Sequence, residues 1–217
     1  MIQRDYIMRM IEQLAIVLKK ILHLKQEGKI DEAETEISNI GKTLLGLDID
    51  FLNKFNTAGI IDFLTRSNSF DTGKCVIIAE LLKEKGELHD IRKELNESYQ
   101  CYQKSLDLYL EVLNKFTEYR QNDFFKKITF LTDKLIEYEM PARLQYKLMQ
   151  YYEMIGDYAE AENILFHLID NGGIEIVKEG LQFYNRLLAK TDDELKKGNL
   201  PRNEIEEGLL ALKKKTA

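Results

Sequence analysis

Apolar residues recur at Ile7, Met10, Ile11, Leu14, Val17, Leu18, Ile21 and Leu22, the three-and-four spacing that lines one face of a helix. The chain is therefore expected to open on a long helix over 5–27. Gly28 supplies a turn, and a second helix over 29–45 puts Ile30, Ala33, Ile37, Ile40 and Leu44 on one side, so the two form a hairpin. Asp48 or Asp50 is placed to cap a short helix through Phe55, and another runs from Thr57 through Leu64, because short side-chain oxygens accept from the orphan N–H groups of a first turn. The polar run 66–73 predicts a mobile loop. Helical periodicity then returns over 74–92, 94–119 and 123–138. Pro141 ends that run and suits the first turn of the next helix. A tight pair follows over 141–155 and 157–170, joined at Gly156 and closed by Asn171, Gly172 and Gly173. Periodicity resumes over 174–188, Thr191 begins a cap signal, and Pro201 opens a last helix ending in Lys213, Lys214 and Lys215, cations that complement the negative end of the helix dipole.

Within the 141–170 pair, Leu148, Tyr152, Gly156, Tyr158 and Ala161 place a glycine turn between two helices, large residues in the gap, and a small residue where the backbones approach most closely. This segment resembles a tetratricopeptide repeat, departing from it at Met149, at Leu168 and in the missing closing proline. Poorer copies of the template fall at Gly28 to Ala33 and around Gly86, Lys93, Tyr102 and Ser105. The three turns at Gly28, Lys93 and Gly156 are spaced a little under twice the repeat period of about 34 residues. Together with the opening Met1-Ile2-Gln3-Arg4-Asp5-Tyr6, this layout resembles a family of bacterial proteins of unknown function with tetratricopeptide-like helices. The resemblance implies an all-α fold of antiparallel helix hairpins in a tetratricopeptide-like right-handed superhelical array with irregular units. It implies no activity. The domain expected is a single all-helical one over 1–217, with sub-units 1–65 and 74–217 if the polar loop divides it.

Composition agrees with long amphipathic helices: 44% hydrophobic and 31% charged residues, 12 Gly and 2 Pro. A net charge of −6 gives no positive field for a phosphate backbone, so nucleic acid is not an expected partner. Cys75 and Cys101 stand far apart and outside any CxxC pattern, which points to reduced thiols and a cytoplasmic setting. The longest apolar run, Leu14 to Leu18, is too short for a signal segment or a membrane span.

No constellation commits the chain to a reaction, a metal or a cofactor. His23, His89 and His167 stand singly, without the partner three or four residues away that a helical metal pair needs. Gly41-Lys42-Thr43 matches the end of a phosphate-binding loop but lies inside a predicted helix and lacks the earlier glycine. Asp48 and Asp50 lack the turn glycine and closing bidentate acid of a calcium loop. The basic face of the first helix, Arg4, Arg9, Lys19, Lys20 and Lys25, is mixed with acids and fits hairpin packing better than anionic lipid.

Helix-hairpin arrays present a concave face lined by first-helix side chains. By the repeat register the candidate partner-binding groove is Lys83 and Glu87 in the middle copy and Arg143, Tyr146, Lys147 and Gln150 in the better one. Lys83, Arg143 and Lys147 match the charge of a carboxylate clamp, whereas Glu87 stands where a clamp asparagine belongs. The function expected is a non-catalytic interaction or assembly module that binds a protein, a peptide, a helix or its own copy through faces that include Tyr146, Tyr151 and Phe183. The alternative is an enzyme whose acidic site assembles only in three dimensions.

Overall fold

A computed structural model describes the backbone of residues 2–66, 69–116, 122–171 and 174–216. Among these, the chain forms twelve helices and a single two-stranded ladder of two residues per strand. It divides into two compact units, Met1–Glu139 and Met140–Ala217.

The first unit holds α1 (Ile2–Gln26), α2 (Ile30–Leu45), α3 (Ile49–Asn53), α4 (Thr57–Leu64), β1 (Thr65–Arg66), β2 (Ser69–Phe70), α5 (Thr72–Arg92), α6 (Leu95–Lys115) and α7 (Asn122–Leu135). The corner between α1 and α2 falls at Gly28 with φ +74°, a left-handed conformation that glycine takes without a Cβ penalty. Lys93 turns the α5–α6 corner with φ 62°, and its N–H donates to the Asp90 and His89 carbonyls in place of a glycine cap. The α5–α6 contacts nest symmetrically about that corner. Ser98 Oγ donates to Asp90, Tyr102 packs on Gly86, and Ser105 Oγ donates to the Ala79 carbonyl at 2.7 Å. That pattern defines an antiparallel hairpin.

Helix α5 is the centre of this unit, packed by α1, α2, α3, α4 and α6. Its run Val76, Ile77, Ile78, Ala79, Leu81 and Leu82 is buried, and an apolar surface on all sides is what a helix needs in order to lie in a core rather than on it.

The second unit holds α8 (Ala142–Ile155), α9 (Tyr158–Asn171), α10 (Ile174–Leu188), α11 (Asp192–Lys197) and α12 (Arg202–Thr216). Gly156, with φ +84°, caps α8 and turns into α9. Across this corner His167 Nδ1 lies 2.9 Å from Gln145 Oε1. Helix α11 opens on a capping box in which Thr191 and Glu194 satisfy each other's backbone N–H. Met149, Leu165, Phe183, Tyr184, Leu187, Leu195 and Leu212 form its core.

Two expectations change. Part of the polar run 66–73 takes part in an antiparallel ladder that pairs Thr65 with Phe70 and Arg66 with Ser69, and the run falls within the first unit. Asp71 caps α5; residues 67 and 68 lie outside the described set. The helix expected over 94–119 ends at Lys115, because Phe116 is extended at φ −134° and ψ 109° and its ring stacks on Phe70 at 6.1 Å; residues 117–121 are outside the described set. Of the two candidate caps, Asp48 is the one used, accepting from the Asp50 N–H at 3.0 Å.

Candidate functional site

Four acidic or basic residues of α5, Glu80, Lys83, Glu84 and Glu87, share one helix face because they are spaced three and four residues apart. On an exposed helix such a stripe is ordinary. Here α1 packs beside it and Lys127 reaches it from α7, which packs on α6, and the stripe is withdrawn from water: the Glu80 side chain is 3% exposed, and those of Lys25 and Glu84 are 8% exposed each. Lys25, from α1, reaches Glu84 and Glu87 at 2.6 Å each. Lys83 bonds Glu84 at 2.5 Å and Glu87 at 3.1 Å and lies 4.0 Å from Glu80. Lys127, from α7, contacts Glu80. The result is a chain of alternating charge in which each carboxylate meets an ammonium, the condition under which ions can be held away from water.

The electrostatics follow from that geometry. Burial alone would lift the Glu87 carboxyl, but the ammoniums of Lys83 and Lys25 override it and hold the group below the usual carboxylate range. Burial likewise works against the Lys83 ammonium, and the Glu84 and Glu87 carboxylates outweigh it and raise its pKa. Lys127 behaves differently: burial pulls it down to about 8. Beneath the network, Tyr109 is fully buried and its hydroxyl has no hydrogen-bond partner among the described residues. Burial pushes that phenol far up.

The outer surface of the network is a cleft of about 330 Å³ lined by Lys83, Glu87, Asp123, Lys126, Lys127 and Phe130. Phe130 is its aromatic wall, with the Lys83 and Lys134 ammoniums each 5.7 Å from the ring centroid, a distance at which the ring face attracts a cation. Edge-on contact with Tyr102 at 5.9 Å holds the ring, and Tyr102 is itself anchored by its hydroxyl on Asp90 at 2.9 Å. At the rim, Asp123 and Lys126 are both exposed and lie 3.9 Å apart.

Of the sequence-derived residues, Lys83 and Glu87 therefore meet in this cleft. The other four belong to α8 in the second unit. Arg143 is exposed and Lys147 is buried. Tyr146 and Gln150 are half-buried, and the Tyr146 hydroxyl bonds Glu179 and Gln150, with burial pushing its pKa up. Tyr151 and Phe183 are buried, so neither offers its ring to a partner. Lys25, assigned above to a basic helix face, is committed to the internal network instead. Glu80, Glu84, Lys127, Tyr109 and Phe130 escaped the sequence reading; the one available signal was the 80, 83, 84, 87 stripe on a helix otherwise too apolar to be exposed.

Other candidate features resolve into structure. Lys42 of the Gly41-Lys42-Thr43 triplet lies in α2 and pairs with Asp48 at 2.9 Å. Among the described residues, no group of three or more His, Cys, Asp or Glu is placed to hold a metal ion, and no helix is long and apolar enough to cross a membrane. Cys75 and Cys101 are free and buried, and burial raises the Cys101 thiol to about 11, which makes it a poor nucleophile.

One family matches the chain over residues 1–217, under the description "Family of unknown function (DUF6483)". The chain belongs to that family. No curated protein and no solved structure matches it.

Proposed function

We propose that this member of the family is a non-catalytic interaction module that holds an acidic side chain of an extended peptide in the α5–α7 cleft. The observation that carries this reading is the local charge. In a chain of net charge −6, the cleft gathers Lys83, Lys126 and Lys127 against Glu87 and Asp123, and Lys126 is only loosely engaged. A carboxylate beside an apolar or aromatic side chain would meet Lys126 and the Phe130 ring together. A volume of about 330 Å³ takes one or two side chains, which favours a peptide over the face of a second copy of the chain. The carboxylates assembled at Glu80, Glu84 and Glu87 are all paired with lysines, and Lys83 and Glu87 titrate away from neutrality. General acid–base work by a carboxyl needs a pKa near the working pH, so Glu87, held lower still, favours binding over the acidic-enzyme alternative.

The finer architecture belongs to this proposal as well. The corners at Gly28, Lys93 and Gly156 support helix hairpins of the tetratricopeptide-like kind, stacked as a right-handed array with irregular units. The buried free thiols suit a cytoplasmic protein.

The test is selection of a displayed random peptide library on the immobilised full chain. Enriched peptides should share an acidic residue next to an apolar or aromatic one, and Lys126→Glu should weaken them about ten-fold or more, the scale of one lost charge-assisted contact turned repulsive. Lys126 is exposed, so the substitution leaves folding intact. Enrichment of peptides that bind the wild-type and Lys126→Glu forms equally would remove the cleft from consideration.

A further inference from the structure

The first unit has a second recess, and the residues that line it are not those of the α5–α7 cleft. Its volume is about 360 Å³, in the range of small-molecule sites, which combine apolar walls with a few convergent polar groups. The end of α2 and the turn after it contribute Leu45 and Leu47, the end of α4 contributes Phe63 and Leu64, and α5 with its cap contributes Asp71 and Lys74. Ser69, from β2, adds a hydroxyl. Leu45 and Leu64 are buried, and Leu47 and Phe63 are half-buried. The backbone sets the charged pair against this apolar wall, because the Asp71 N–H donates to the Leu64 carbonyl at 3.0 Å.

The pair itself restricts what can enter. Asp71 uses one carboxylate oxygen for the cap, accepting from the Lys74 N–H at 3.0 Å. The other oxygen stands 3.5 Å from Lys74 Nζ, beyond the roughly 2.7–2.9 Å of a direct charge-assisted bond. Both groups can therefore take a further partner, since an ammonium has three donors and a carboxylate has lone pairs to spare. An anion drawn to Lys74 alone meets the Asp71 carboxylate at close range, and a cation drawn to Asp71 alone meets Lys74. Neither gains much, because each attraction is set against a repulsion. A zwitterion escapes that conflict: with its carboxylate beside Lys74 and its ammonium beside Asp71, the four charges alternate.

We propose that this cavity binds a free α-amino acid with a large apolar side chain, of the leucine or phenylalanine kind. Such a molecule carries its two charges on one carbon, side by side as the protein's own pair stands. Lys74 holds the carboxylate and Asp71 holds the ammonium. The side chain leads away from that carbon to Leu45, Leu47, Phe63 and Leu64, where apolar surface is withdrawn from water. Binding is reversible and involves no covalent step. It uses neither Lys126 nor Phe130, so this site and the peptide cleft can each fail without the other.

The experiment is a ligand-observed magnetic-resonance titration of the full chain with L-leucine and L-phenylalanine, beside three probes that each lack one feature. 4-Methylpentanoate has no ammonium, 3-methylbutylamine has no carboxylate, and glycine has no side chain. At least one of the two amino acids should bind with a dissociation constant below about 10 mM, and each of the three probes at least about ten-fold more weakly. Asp71→Asn separates charge from fold, because its amide oxygen still accepts from the Lys74 N–H and keeps the α5 cap. In that variant leucine should weaken about ten-fold, while 4-methylpentanoate, relieved of the repulsion, should bind better than it does to the wild-type chain. Lys74→Met, at a half-exposed position, should lose both. The proposal is overturned by an absence of binding of both amino acids at about 10 mM, by 4-methylpentanoate binding the wild-type chain as tightly as leucine, or by leucine binding that Asp71→Asn and Lys74→Met leave unchanged.

Discussion

The interiors of the two units are built from opposite materials. In Met140–Ala217, Met149, Leu165, Phe183, Leu187, Leu195 and Leu212 pack into an apolar core, and the polar contact at its edge is the Tyr184 hydroxyl on Glu162 at 2.6 Å. In Met1–Glu139, the central helix places Glu80, Glu84 and Lys85 among its buried residues, with lysines from α1 and α7 brought in to match. An apolar core stabilises through each side chain separately, roughly in proportion to area buried. An ionic network stabilises only while it is complete, because each member protects another from being a bare charge in a poor solvent. Such a network is weak evidence for stability. Its cost makes sense when the charges at its surface are wanted in fixed positions, as they are in the cleft.

This contrast can be broken most forcefully at Glu84, which lies between Lys25 and Lys83. Glu84→Ala should cost about 3–5 kcal/mol by leaving a buried ammonium short of a partner. Phe183→Ala in the second unit should cost a similar ~3–5 kcal/mol, through a cavity instead. The two mechanisms separate in a double variant. Lys25→Met with Glu84→Met leaves Lys83 on Glu87 and Lys127 on Glu80 still paired, so it should be more stable than Glu84→Ala alone. The chain contains no Trp, so hydrogen exchange followed by mass spectrometry is the suitable measurement: loss of protection should concentrate in α5 and α6 for the first variant and in α9 and α10 for the second. A double variant as unstable as Glu84→Ala would mean that the ions stabilise beyond mutual compensation.

A smaller effect is expected where the hairpin itself sets the cleft wall. A Cβ at Gly86 would meet Tyr102 Cε1 at 2.6 Å, and Tyr102 has nowhere to retreat, being bonded to Asp90 and packed on Phe130. Overpacking of this kind costs about 1–3 kcal/mol, against the ~1 kcal/mol by which alanine is the better helix former. Gly86→Ala should therefore be destabilising on balance in urea unfolding followed by far-ultraviolet dichroism. It should also disturb Phe130, which would appear as weaker binding of any peptide that uses the cleft.

Much of the fold is legible in the sequence because its signals are local. The corner at Gly156 needs a left-handed residue, and the flanking residues Leu148, Tyr152, Tyr158 and Ala161 carry the hairpin spacing; at Gly28 the same logic holds. The α5–α6 corner could be found at Lys93 without a glycine because Gly86, Tyr102 and Ser105 keep the repeat register on either side of it. The cleft was legible only in part. Lys83 and Glu87 came from repeat register, but Lys25 is 59 residues from Glu84 and Lys127 is 47 from Glu80. A Glu–Lys stripe reads the same whether water or another helix faces it. What buries it is the packing of α1 on α5 and of α7 on α6, which no periodicity within α5 encodes. The ladder at 65–70 escaped for a related reason: a two-residue strand has no period to detect.

The Tyr184–Glu162 pair of the second unit gives a test by pH. Burial raises the Glu162 carboxyl, with the Tyr184 hydroxyl bond opposing and the Glu204 charge assisting. A carboxyl raised on folding contributes stability that is fully present below its unfolded value near 4.5 and is lost as pH rises through its folded value. The second unit should therefore lose protection as pH climbs from about 4.5, and Glu162→Gln should flatten that decline. A profile that is unchanged by Glu162→Gln would show that the carboxyl keeps its ordinary titration.

The smallest effect, and one of opposite sign in pH, belongs to Asp48 in the first unit. Its carboxylate accepts from the Asp50 N–H at 3.0 Å, pairs with Lys42 at 2.9 Å and accepts from Ser38 Oγ at 2.9 Å. Those bonds, the backbone one foremost, hold its pKa down at about 2. A carboxyl lowered on folding contributes stability present above its unfolded value near 3.8 and lost as pH falls through the folded one. Asp48→Ala should remove about 1 kcal/mol, the usual worth of an N-cap, at pH 6 and much less near pH 2. Asp48→Asn should keep most of the cap, because its amide oxygen still accepts from Asp50, while losing the Lys42 attraction and the acid dependence. Urea midpoints of the three forms between pH 2 and 6 decide the matter. Convergence of wild type and Asp48→Ala at low pH is the expected outcome, and a constant gap between them would place the contribution in packing rather than in the charge.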